Sequence, residues 1–372
     1  YFFPDTFFEG NEEGAVAELN KNWMTARRAM MRAPLERIGF GGYLSLAAKF
    51  PKFVARAGEV CEEFRRIYAG VKGKQPFSAV KVAVLNCWGK LRSWQCFMTA
   101  HELWYQQAYS YQGILEALSG LPVEVSFIDF DDVKAGALEK IDVLLNAGDA
   151  YTAWSGGENW QDAEVQEKVR AFVARGGGFV GVGEPTAYAK QGRFFALADV
   201  LGVDEEKGLS LNTDKYNIQA EEGHFIFADT PAPDFGEDKK NIYALSGTKV
   251  LKIAFSERFT RNVNVGEVKA AVNEYGKGRS FYITGLPYSF ENARLLYRAL
   301  LWTAQKEEYA EKNFSTNVAV DCHYYAASGE YALVNNTFKE QKTTFFDASG
   351  SSREMTLAPM QIVWLKAEDG LV

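Results

Sequence analysis

The chain has 372 residues, 47% hydrophobic and 14% aromatic, enough apolar material for two or three cores rather than one. Its formal net charge of −7 argues against a nucleic-acid groove or a polybasic membrane patch, so neither nucleic acid nor a membrane is expected as a partner. No run of about 18 apolar residues is present to form a membrane-spanning helix.

Cys61, Cys87, Cys96 and Cys322 lack metal-ligand spacing, and His101, His224 and His323 stand far apart in the chain. No zinc site is expected from such a set. Reduced thiols suit a cytoplasmic protein, which is the expected location. The opening YFFPDTFFEG reads as a strand end and loop entered halfway, so further sequence is expected before Tyr1.

In chain order, Val16, Leu19, Trp23, Ala26 and Met30 recur at helical spacing within Glu12–Arg32, and Pro34 ends that helix. Arg37–Phe40 is a short strand candidate. Tyr43–Ala69 is helical, broken before Pro51, with Phe53, Val54, Ala57, Val60, Cys61, Phe64 and Ile67 as its buried face. Two βα units in succession, the first truncated, suit the end of a (β/α)8 barrel, and KGKQP (Lys72–Pro76) is a linker. Strands follow at Val80–Asn86, Val123–Phe130, Ile141–Gly148, Gly177–Glu184 and Ser280–Gly285. Helices are expected near His101–Leu118, Ala163–Arg175 and Phe290–Gln305. Apolar strands separated by helices indicate a doubly wound parallel sheet covered on both faces. From about Asn313 the segments VAVDCHYY, EYALVNNT, KTTFFDAS and MQIVWLK are short strands of a small antiparallel β domain.

Three loops carry candidate chemistry. NAGDAYTAWSGGENWQD (Asn146–Asp162) leaves a strand's carboxyl end, the edge at which open α/β sheets bind ligands. It also reads as a rigid loop whose Asp162 caps the next helix. NCWGKLRSW places Lys90 and Arg92 at the same edge. RIGFGGYLSL (Arg37–Leu46) runs through glycines into a helix. It lacks the Lys-Ser/Thr of a nucleotide-binding loop. At the carboxyl face of a barrel, though, its amides and helix start would suit phosphate, with Arg37 adding a bidentate contact. A tight corner is the alternative reading.

Ile141 onward, through ARGGGFVGVGEP to GKGRSFYITGLPYSFENARLLYRALLWTA, resembles the class I glutamine amidotransferase-like fold. Its catalytic members place a cysteine on the turn that here reads Gly181-Val182-Gly183-Glu184-Pro185, with no thiol, so that activity is not expected. As a whole the chain resembles the C-terminal half of the galacto-N-biose/lacto-N-biose phosphorylase family. The resemblance rests on FFPDTFFEG, RIGFGGYLSLAAKFP, VAVLNCWGKLRSW, YSYQGILEALSG, SFIDFDDV, NAGDAYTAWSGG and GGGFVGVGEP, in that order.

The resemblance implies the end of a catalytic (β/α)8 barrel over residues 1–75, an amidotransferase-like α/β domain over 76–308 and a small β domain over 312–372. It implies inverting phosphorolysis of β-1,3-galactosyl-N-acetylhexosamine to α-galactose 1-phosphate, with no metal or organic cofactor. Galactosyl-rhamnose phosphorolysis, a hydrolase like the barrel β-galactosidases, and a non-catalytic assembly module are the alternatives. An inverting hydrolase needs an acid and a base, whereas a phosphorylase needs the acid and a cradle for the phosphate nucleophile. Mapped onto this chain, Arg37 and the amides of Gly41 and Gly42 form part of that cradle. Phe40 or Tyr43 forms a wall against the sugar, or packs the barrel rim. The general acid is expected before Tyr1, with Asp5 as the candidate inside the chain. A galactosyl disaccharide and phosphate are the expected partners, and a homodimer the expected assembly.

Overall fold

The computed structural model describes residues 7–39, 44–87, 109–190, 192–206, 218–255 and 266–367. They fall into two compact units, one made of the chain up to Phe77 together with the chain from Glu311, the other of Ser78–Ala310.

The first unit begins with α1 (Glu12–Arg32), α2 (Leu44–Ala47) and α3 (Pro51–Val71). Asn11 caps α1 by accepting from the Gly14 N–H at 2.9 Å, and Pro51 opens α3 at its first turn, a position that needs no N–H donor. The buried seam of α3 is Phe53, Val60, Ile67 and Val71, packed with Leu19, Trp23, Met30 and Met31 of α1. Val54 and Cys61, expected on that seam, are exposed. Each lies one residue past a seam position, and that step turns it about 100° away from the partner helix. Residues 37–39 form no strand. A strand needs a neighbour for its ladder, and none among the described residues pairs with them.

The second unit is a mixed sheet. β1 (Val80–Leu85), β2 (Val123–Ile128), β3 (Val143–Gly148) and β4 (Gly178–Gly183) run parallel with β11 (Gly278–Ile283). β9 (Lys249–Phe255) and β10 (Gly266–Tyr275) extend it antiparallel, giving the order β2-β1-β3-β4-β11-β10-β9. That antiparallel pair corrects the expectation of a wholly parallel sheet: Glu267, Lys269, Asn273 and Glu274 interrupt what would otherwise be an apolar run. The connecting helices are α4 (Tyr109–Leu118), α5 (Phe130–Lys134), α6 (Ala163–Ala174), α7 (Ala198–Leu201) and α8 (Phe290–Thr303). Ala83, Leu85, Leu144, Phe179 and Tyr282 cluster with Val165, Val169 and Phe172 of α6. The alternate strand positions Val82, Val84, Val143, Leu145, Val180, Val182 and Ile283 are also buried, on the side where α4 and α8 meet β3, β4 and β11. Both faces are therefore covered, as the period-2 alternation requires. Two short antiparallel pairs, β5 (Ala187–Lys190) with β6 (Arg193–Phe195) and β7 (Val203–Glu205) with β8 (Ile242–Ala244), stand apart from the main sheet.

The remaining strands complete the first unit. β12 (Phe314–Ser315), β15 (Gln341–Phe346) and β16 (Ser352–Leu357) form one antiparallel sheet, and β13 (Val320–Tyr325), β14 (Glu330–Asn335) and β17 (Ile362–Lys366) another. Two buried arginines of α1 tie the helices to these strands. Arg27 donates to the Met360 carbonyl at 2.8 Å and the Asn335 carbonyl at 3.2 Å, and pairs with Glu63 of α3 at 3.2 Å. Arg28 pairs with Asp321 at 3.2 Å, and the Tyr325 hydroxyl donates to the Met31 carbonyl at 2.8 Å.

His323 lies between Asp321 and Tyr325 on the same face of β13. It is fully buried, and neither ring nitrogen has a hydrogen-bond partner among the described residues. Burial pulls its pKa down to about 3, and Arg32 and Arg28 oppose the one nearby carboxylate, Asp321. Between pH 6.5 and 3 the unfolded chain therefore carries a proton that the folded chain refuses, and stability falls as pH falls. We expect His323→Leu to raise stability at pH 7 by about 1–3 kcal/mol. Urea titrations at pH 7 and pH 5 should also show the variant losing less stability, by about 1.4 kcal/mol per pH unit. Equal losses in both proteins would exclude His323 as the acid-sensitive group.

Candidate functional site

Of the residues expected to form the phosphate and sugar site, the structure places Arg37 alone. It is exposed, in the coil that leaves α1. Phe40, Gly41, Gly42, Tyr43 and Asp5 lie outside the described residues, as do Lys90 and Arg92. No cradle is therefore assembled by the residues described.

At the carboxyl edge of the parallel sheet the described residues form a connected network. Asn146, at the end of β3 and wholly buried, donates to the Leu85 carbonyl at 3.1 Å and the Trp154 carbonyl at 3.5 Å, and accepts from the Thr186 N–H at 2.9 Å. One side chain thus joins the end of β1, the loop after β3 and the turn after β4. The Cys87 N–H donates to the Ala153 carbonyl at 2.9 Å, and Trp154 stacks on Tyr111 with centroids 4.4 Å apart. The crevice between β1 and β3, where the strand order reverses, is the usual ligand position in such sheets. Here the loop after β3 is bonded to the end of β1 through Asn146 and the Cys87 N–H. Trp160 is also core: its indole N–H donates to the Ser155 carbonyl at 2.6 Å and its ring meets Phe130 edge-on. Gly156, at φ 113°, has no room for a side chain between these two rings. Asp162 caps α6 through the Glu164 N–H at 2.9 Å. The capping reading of Asp162 holds, and both tryptophans of this motif are structural.

The turn after β4 carries Glu184. Its carboxylate accepts from the Ala150 N–H at 2.9 Å and pairs with Lys239 at 3.2 Å; Lys239 also pairs with Asp149. Burial pushes Glu184 up, but the Ala150 amide and Lys239 outweigh it and hold its carboxyl below the usual range. For Asp149 burial wins over Lys239 and the pKa is raised. Lys239 is opposed by burial, yet its two carboxylates raise it. Every one of these groups is committed to a partner, so the turn offers no free nucleophile. Lys239 escaped sequence reasoning because it sits in GEDKK (Gly236–Lys240), a charge-dense stretch that reads as solvated surface. No group of His, Cys, Asp or Glu among the described residues is arranged to hold a metal ion.

Comparison with known proteins identifies the chain at the family level. Residues 81–308 match the lacto-N-biose phosphorylase central domain, residues 1–79 its N-terminal TIM barrel domain and residues 314–365 its C-terminal domain. The chain belongs to the lacto-N-biose phosphorylase family. A 1,3-beta-galactosyl-N-acetylhexosamine phosphorylase of Lachnoclostridium phytofermentans is 50% identical over 98% of this chain and 49% of its own length. One of Bifidobacterium longum is 42% identical over 99% of this chain and 52% of its own. A D-galactosyl-beta-1->4-L-rhamnose phosphorylase of Lachnoclostridium phytofermentans is 34% identical over 92% of this chain and 46% of its own. Among solved structures, a β-galactosidase from Rahnella sp. R3 aligns at TM-score 0.49 and 18% identity, over 84% of this chain and 45% of that one. The chain spans about half the length of the curated relatives it matches.

In this member of the lacto-N-biose phosphorylase family the carboxyl edge depends on Asn146. Asn146→Ala leaves the Thr186 N–H and two carbonyls without their partner, and should cost about 1–3 kcal/mol for each group that stays buried and unpaired. Hydrogen exchange at Thr186 and across residues 150–156 should accelerate well above the wild type. Unchanged exchange there would show that the loop is held by other contacts.

Proposed function

We propose that these residues belong to an inverting glycoside phosphorylase that converts β-1,3-galactosyl-N-acetylhexosamine and inorganic phosphate into α-galactose 1-phosphate and free N-acetylhexosamine. The observation that carries this reading is the 50% identity, across 98% of the chain, to a relative with that named activity. The galactosyl-rhamnose phosphorylase stands at 34%, which favours the N-acetylhexosamine acceptor.

In this reading one carboxylic acid protonates the leaving oxygen, and Asp5 is the candidate this chain carries for it. Phosphate attacks the anomeric carbon from the opposite face and inverts it, so no second carboxylate is needed to activate water. What replaces that carboxylate is a cationic, N–H-rich cradle that holds phosphate in line. Arg37 and the amides of Gly41 and Gly42 form part of it, and Phe40 or Tyr43 closes the sugar side. The reaction requires no metal or organic cofactor. The central domain, amidotransferase-like but with Glu184 in place of a nucleophile, acts as scaffold, and the assembly is a cytoplasmic homodimer.

The test uses full-length protein carrying these residues. Arg37→Ala should raise KM for phosphate about 10–100-fold, the loss of one charge-assisted contact, and leave KM for the disaccharide nearly unchanged. Wild-type KM for phosphate in the variant would remove Arg37 from the cradle. Disaccharide cleavage at an equal rate without phosphate would replace the phosphorylase reading with a hydrolase.

A further inference from the structure

The loop after β3 buries its tryptophans but not Tyr151. Tyr151 adopts φ 60°, a left-handed conformation that a bulky side chain rarely holds, and 52% of the residue is exposed. Neighbours over-determine this conformation. The Asp149 carbonyl accepts from the hydroxyls of Thr152 and Ser155, the Ala150 N–H is held by Glu184, and the Gly156 N–H donates to the Thr152 carbonyl at 2.9 Å. Gly157, itself at φ 52°, backs the turn; a side chain there would begin 3.4 Å from the Tyr151 Cα. The ring meets the buried Phe194 edge-on at 6.3 Å. Strain fixed by so many contacts is characteristic of binding and switch positions. It also presents an aromatic ring on a rigid base, at the sheet edge where ligands gather.

The chemistry beside the ring narrows the ligand. Two residues before it stands Asp149, paired with Lys239; the two side chains are 18% and 26% exposed. With Glu184 on the same ammonium, this cluster carries two carboxylates to one cation, which disfavours phosphate esters and other anions. A half-exposed aromatic ring two residues along the loop from a partly exposed ion pair suits a neutral polyol with one apolar face. We propose that Tyr151, Asp149 and Lys239 form a shallow carbohydrate-binding platform on the central domain. The tyrosine ring stacks on the apolar face of a pyranose, and the ion pair hydrogen-bonds its hydroxyls. The choice of a galactoside as ligand rests on the phosphorylase reading; the platform's geometry does not.

The experiment titrates full-length protein with galactosyl-β-1,3-N-acetylglucosamine in phosphate-free buffer, followed by saturation-transfer NMR and calorimetry. Tyr151→Ala should weaken or delete a disaccharide site by about 3–10-fold, the worth of one aromatic contact. Tyr151→Trp, which restores a stacking ring, should keep it. Tyr151→Asn, which tolerates the left-handed backbone without a ring, should behave as the alanine variant, and its melting temperature shows whether the fold is intact. Wild-type binding in both the alanine and asparagine variants would overturn the platform. Phosphate-dependent turnover by the wild type together with that result would leave the phosphorylase reading standing. Tyr151-dependent binding without phosphate-dependent turnover would do the reverse.

Discussion

At the end of β3 a single buried amide, Asn146, satisfies the last carbonyl of β1, the Trp154 carbonyl and the Thr186 N–H. The three segments it joins are separate in sequence, and each presents it with a backbone group in a buried region where such groups need partners. Much at this edge follows from that constraint. The loop after β3 folds back toward the end of β1, and its buried Trp154 stacks on Tyr111. Ala150 is then carried within reach of Glu184, and Lys239 closes the set. Among the described residues of this edge the polar groups are tied to one another, and Tyr151 is half exposed there.

The first unit depends on a comparable device. Arg27 is wholly buried, yet its guanidinium reaches Glu63 on α3 and two carbonyls from the far end of the chain. A buried cation with these partners accepts little variation in distance or angle, so it specifies how α1 lies on the strands more than it adds stability. The consequence reaches the proposed chemistry. Arg37 follows Arg27 by ten residues, and α1, pinned at Arg27, Arg28 and Met31, sets where that coil leaves the helix.

Much of this was legible in the residues because the signals were local and periodic. Glu12–Arg32 and Ala163–Ala174 carry helical spacing and side-chain caps, and Val80–Leu85 is an uninterrupted apolar run. What escaped was set by tertiary pairing. β10 was hidden because Lys269 lies buried in it, neutralised by Asp238 at 2.6 Å, a partner no local pattern reveals. Arg27 and Arg28 read as the polar side of an amphipathic helix, and their carbonyl and carboxylate partners lie about 300 residues away. The strand expected at Arg37 is absent over residues 37–39 for the opposite reason, because a short β-like stretch has no structure without a ladder. At the candidate site, Asp162 followed the capping rule, whereas Glu184, Lys239 and Tyr151 became meaningful only when three loops met.

We propose that phosphate, rather than water, takes the galactosyl group with inversion. Proton and phosphorus NMR of the first product formed from galactosyl-β-1,3-N-acetylglucosamine in phosphate buffer tests it directly. Phosphorolysis gives α-galactose 1-phosphate as the initial sugar product, in equal amount to free N-acetylglucosamine. Free galactose in either anomeric form, with no phosphorus coupled to its anomeric proton, would contradict it.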